Sequence, residues 1–183
     1  MVHDDVLSSA IKRNLNEIGT AICQRKALVG MEKADTCHSF DFVRITYIAI
    51  KNDMIAHTIK VLDKDDRSAT FWLIYKVYKE EIDAYLHSKS ISITALEKLA
   101  GRLKIIRNKT LFHIDQQRVI NPEKAWNDAA IKGSHLASMS DLIWEILLYV
   151  HKIHFKTEFP PLTYTGEDAT KILEAAKDAG IIR

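Results

Sequence analysis

The chain has 183 residues, 47% of them apolar and 27% charged, with only six Gly and three Pro. That is enough for one well-filled core and too apolar for a disordered or fibrous protein. A formal charge of only +2 excludes a strongly basic molecule, so the chain as a whole does not advertise a polyanion partner and local clustering says more.

Apolar residues recur at steps of three and four, the helical period. Leu7, Ile11, Leu15, Ile18 and Ile22 predict a first helix running to about Leu28. A second, from about residue 39 to 62, carries Phe40, Val43, Tyr47, Ile50 and Met54, widened by Ile48, Ile55, Ile59 and Leu62. A face that broad predicts a central helix. The acidic stretch at Asp63, Asp65 and Asp66 lacks the Gly and closing Glu of a calcium loop and reads as a solvated turn.

Ser68 is the expected cap of a third helix, in which Phe71, Tyr75, Tyr78, Ile82 and Tyr85 follow a nearly seven-residue repeat. Thr94 and Glu97 form a capping-box pattern at the start of a fourth, whose stripe is Leu96, Leu99, Leu103 and Ile106. Asn121 and Pro122 open a short helix through Ile131, which Gly133 closes. Met139, Ile143, Ile146, Val150 and Ile153 mark a longer helix that Pro160 and Pro161 prevent from continuing. Thr165 and Asp168 cap a terminal amphipathic helix.

The expected fold is therefore all-α, an antiparallel four-helix bundle with additional short helices. We expect one domain, with a core over about residues 1–155 and a C-terminal helical extension over about 162–183. The four bundle helices are either the first four, or the first, second, fourth and the one ending near Phe155.

The start of the chain lacks the basic and apolar segments of a secretory signal, which points to the cytoplasm. Residues 142–153 are the most apolar run, broken by Glu145 and His151 and far short of the roughly 20 residues of a membrane span. No membrane partner is expected. Cys23 and Cys37 have no ligand spacing around them and read as buried or idle thiols. His151 and His154 lack a second acid or His pair and read as surface residues, so neither metal nor cofactor is expected.

One segment stands apart. Lys98, Arg102, Lys104, Arg107, Lys109 and Arg118 concentrate basic charge where the stripe of the fourth helix runs on to Thr110 and His113. A core stripe that ends on polar groups marks a candidate site. Arg107 offers a planar fork of donors that matches phosphate oxygens, and His113 can exchange a proton near neutrality. Six helical residues separate two groups by about 9 Å and about 120°, so one helix does not join them. A two-fold dimer of crossing helices places two Arg and two His around one cleft.

The motif Arg107-Asn108-x-x-x-x-His113 in an all-helical chain of this size resembles the HEPN superfamily, and the stretch Arg-Asn-Lys-x-x-x-His-Ile-Asp is most similar to its abortive-infection branch. The resemblance implies a homodimer with a composite, metal-independent endoribonuclease site, in phage defence or as a toxin with a possible antitoxin protein. Where a nucleotidylated toxin branch has His-x-Tyr, this chain has Asp115.

In that reading His113 acts as general base and the second copy's His as acid on the RNA 2′-hydroxyl and phosphate. Arg107 holds the developing charge, Asn108 positions the phosphate or the imidazole, and Arg102, Lys104 and Lys109 bind flanking phosphates. The alternative is a non-catalytic nucleotide- or RNA-binding or dimerisation module that uses the same groups.

Overall fold

The stripe from Leu7 to Ile22 becomes the axis of the molecule: Ile11, Leu15 and Ile18 are wholly buried. The computed structural model describes residues 2–35, 40–65, 67–108 and 124–181, and among them there is no strand. Among the described residues eight helices follow in order: α1 Val2–Lys33, α2 Asp41–Leu62, α3 Phe71–Val77, α4 Lys79–Ser88, α5 Ile93–Ile106, α6 Lys124–Ala129, α7 Gly133–Phe155 and α8 Glu167–Asp178. None of these helices is long and apolar enough to cross a membrane.

Two long helices flank α1, both antiparallel to it. Along α2 the pairs run Glu17 with His57, Gln24 with Asp53 and Glu32 with Tyr47. Along α7, Ser8 meets His154, and Arg25 donates a bidentate pair of bonds to Asp141 at 2.7 and 3.0 Å. Gly19 between these points lets Trp144 lie against α1, where an added Cβ would come 3.2 Å from the indole. One core joins buried residues of α1 to α7, including Leu62, Phe71, Ile82, Leu99, Ala129 and Ile146.

Where one third helix was expected, there are two. Tyr78 leaves helical geometry at φ −106°, ψ 37°, and α3 ends before it. The bend lets α3 pack on α1 and α2 while α4 packs on α7. The Tyr78 hydroxyl meets His154, and Tyr85 stacks on Tyr149.

Other boundaries also differ from expectation. Ser92 rather than Thr94 caps α5, its Oγ accepting the Thr94 N–H at 3.3 Å, because Glu97 turns outward to Lys64. Gly133 opens α7 instead of closing the short helix before it. Asn121 and Pro122 lie outside the described residues. At α8, Thr165 and Asp168 accept backbone N–H bonds around the N-cap Gly166.

The terminal helix is held by close backbone approach. A Cβ on Gly30 would meet the Gly166 carbonyl at 2.2 Å, and Gly166 itself has φ +83°. Thr170 donates to the Gly30 carbonyl, while Leu173 joins a small cluster around Met31 and Val43. The second helix is enclosed only over its C-terminal half. Ile55, Ile59 and Leu62 are buried, but Phe42 and Ile45 near the other end are 71% and 62% exposed.

Candidate phosphate-binding site

Thr110 and His113, on which the stripe of α5 was expected to end, lie outside the described residues. Leu96, Leu99, Leu103 and Ile106 are buried, and the next residue, Arg107, reaches across the C-terminal end of α2. Arg107 and Asn108 continue α5 as a wider, π-type turn, a local geometry that often accompanies functional positions.

The guanidinium is held from two directions. Nη1 donates to Asp63 Oδ2 at 2.5 Å, and Nε donates to Asn108 Oδ1 at 3.2 Å. The Arg107 and Asp63 side chains are 29% and 31% exposed, so the pair sits at a surface opening rather than in the core. Asn108 thus has a first role next to Arg107, as its orienting acceptor.

Between α2 and α5 the pair borders a cleft of about 300 Å³, walled also by Ile59, Leu62, Lys64, Asp65, Gly101 and Lys104. Its floor is apolar and its rim charged, with Lys64, Lys104 and Arg107 facing Asp63 and Asp65. Lys104 is exposed and has no acidic partner among the described residues. Lys64 donates to Glu97 at 3.2 Å. Asp65 is held down at about 2, because the Arg67 side chain and backbone N–H both donate to it. It therefore stays an anion at any working pH.

Two further clefts adjoin this one. The first shares Asp63 and contains Arg13, Asn14, Glu17, Lys60, Ser68 and Thr70. There the Glu17 carboxylate takes His57 Nδ1 at 2.5 Å and Lys60 Nζ at 3.3 Å. The second shares Lys64 and Asp65 and opens beside Trp72.

The other predicted site residues divide as follows. Arg102 is not part of the cleft wall, since its Nη1 donates to the Ala130 carbonyl at 3.1 Å and ties α5 to the end of α6. Lys109 and His113 lie outside the described residues, as do Asp66 and Cys37. Cys23 is a half-buried free thiol.

The paired histidines of α7 are not surface residues. His151 is buried, with Nδ1 against the Thr157 carbonyl at 3.2 Å and its ring packed on Phe155 and Phe159. His154 sits between Ser8 Oγ at 2.6 Å and Tyr78 Oη at 2.7 Å. They serve separate contacts, because one ring faces the chain after α7 and the other faces α1 and Tyr78.

Sequence reasoning missed Asp63, Lys64 and Trp72. A signal was present in the first case: the apolar stripe of α2 stops at Leu62 directly before an acid, as that of α5 stops before a base. No family model, curated protein or solved structure matches the chain.

Proposed function

We propose that this protein is a HEPN-type, metal-independent endoribonuclease that works as a homodimer, in phage defence or as the toxin of a toxin–antitoxin pair. The observation that carries the reading is Arg107 at the rim of an open cleft, with Lys104 beside it, without an acidic partner among the described residues, and Asp63 and Asn108 orienting its donors. A phosphate entering this cleft meets a guanidinium whose direction is already set. Preorganised donors of this kind stabilise charge that develops in a transition state.

The reaction follows from the residue types. His113 takes the proton of the RNA 2′-hydroxyl as that oxygen attacks the adjacent phosphate. The His113 of the second copy protonates the leaving 5′-oxygen, and Arg107 neutralises the pentacoordinate phosphate. Products are a 2′,3′-cyclic phosphate and a 5′-hydroxyl. DNA, without the 2′-hydroxyl, is not cleaved.

A second reading is favoured by one specific contact. The Asp63 carboxylate already satisfies Arg107, so a phosphate must compete with it, which suits a binding or dimerisation module without catalysis.

Purified native chain, Arg107→Ala and His113→Ala, incubated with labelled RNA with and without chelator, separate the two. The nuclease reading expects chelator-resistant cleavage by the native chain that falls on the order of a hundredfold or more in His113→Ala. Intact RNA with retained, Arg107-dependent binding establishes the module instead.

A further inference from the structure

The cleft beside the Arg107 site contains an aromatic ring presented for stacking. Trp72 lines an opening of about 640 Å³ together with Lys64, Asp65, Ser68, Thr70 and Lys76. Its indole is fixed before any ligand arrives. Nε1 donates to the Leu62 carbonyl at 2.9 Å, and Phe71 and Tyr75 pack edge-on at centroid distances of 5.3 and 6.2 Å.

What lies over the ring face is the Lys64 ammonium, which also donates to the surface carboxylate of Glu97 at 3.2 Å. Lys64 Nζ stands 4.5 Å from the ring centroid, and the same lysine forms part of the wall of the Arg107 cleft. An ammonium on a four-carbon stem can swing from an aromatic face to a phosphate, leaving the ring to a planar ligand. Lys76, exposed at the far side of the opening, has no acidic partner among the described residues.

From this arrangement we infer that Trp72 is a base-stacking platform for an unpaired nucleotide of the strand bound at the Arg107 cleft. The inference rests on the reading of Arg107 as a phosphate site and adds a base-binding residue to it. One nucleotide places its phosphate between Arg107 and Lys104 and an adjacent unpaired base on Trp72. Lys64 contacts the backbone between them and Lys76 takes the next phosphate. Ser68 and Thr70 line the space into which the edge of the base projects.

A paired base cannot reach the ring, because its faces are covered by neighbours in the helix. Stacking of unpaired bases on aromatic side chains is tolerant of sequence and contributes strongly per base. The site therefore selects by strandedness rather than by base identity.

The test uses a short 2′-O-methyl RNA oligonucleotide, which cannot be cleaved, in unpaired form and as a duplex of equal length. We expect the unpaired strand to bind the native chain at least about tenfold more tightly than the duplex and to quench tryptophan emission. Trp72→Phe, a mild change that retains the packing against Phe71 and Tyr75, should lose that quench. Trp72→Ala should weaken binding on the order of tenfold or more, with circular dichroism checking that it folds.

Equal affinity for strand and duplex, or a quench unchanged in Trp72→Phe, overturns the platform. If Arg107→Ala binds the strand as the native chain does while the Trp72 variants fail, the platform stands and the Arg107 reading falls. Absence of binding to the native chain ends both.

Discussion

The two halves of α2 have similar composition and opposite fates. From Ile55 to Leu62 the helix lies under α1, α3 and α5, and Ile55, Thr58, Ile59, Val61 and Leu62 are buried. From Phe42 to Ile48 its outer face carries residues just as apolar, yet Phe42, Ile45 and Ile48 are 71%, 62% and 49% exposed. Apolar character alone thus does not predict burial; a second element has to arrive. At the enclosed end, the arrival of α5 also brings Arg107 onto Asp63 and creates the cleft. At the open end only the inner face is covered, by α1 and by Leu173 of α8.

This contrast can be broken or sharpened by substitution. Leu62→Ala removes a side chain that is 2% exposed and should cost about 2–5 kcal/mol in urea unfolding. An effect comparable to that of a surface change would mean the enclosed half is not packed as described. Next in size is Gly166→Ala, which puts a Cβ at φ +83° and 2.1 Å from the Lys26 carbonyl. A loss of about 1–3 kcal/mol, with faster amide exchange confined to α8, is expected.

Smaller again is the coupling between Arg107 and Asp63. A double-mutant cycle of Arg107→Ala and Asp63→Ala on thermal stability should return on the order of 1 kcal/mol, since the pair is largely but not wholly shielded from solvent. A coupling of zero would leave Asp63 without a part in orienting the guanidinium.

Glu17, midway along the α1–α2 contact, offers a test by pH. Burial raises its carboxyl, but hydrogen bonds from His57 and Lys60 outweigh that and leave it below its ordinary 4.5. A carboxyl lowered by folding adds stability above its unfolded value and loses it as pH falls through the folded one. Native stability should therefore decline on acidification below about 4.5 more steeply than that of Glu17→Gln. The smallest effect is expected from Ile45→Ala on the open half of α2, within about 0.5 kcal/mol of native. A larger loss there would show that the exposed face is covered in solution.

The periodic stripes of α1, α5 and α7 were legible in the residues, because the helical repeat brings positions three and four apart onto one face whatever else the chain does. The single helix expected through Tyr78 was not, since a seven-residue repeat looks the same whether or not the chain bends to serve two neighbours. His154 shows the same limit: its partners, Ser8 and Tyr78, are 146 and 76 residues away.

Helix positions and the identity of the charged groups thus follow from local order, where each residue answers to neighbours within a turn or two. Which groups meet follows from packing. Arg107 and Asp63 are 44 positions apart, and Trp72 borders Lys64 only because α3 folds back against the end of α2. Contacts of that kind depend on how whole helices pack to exclude water from their apolar faces, and no short stretch of the chain contains that information.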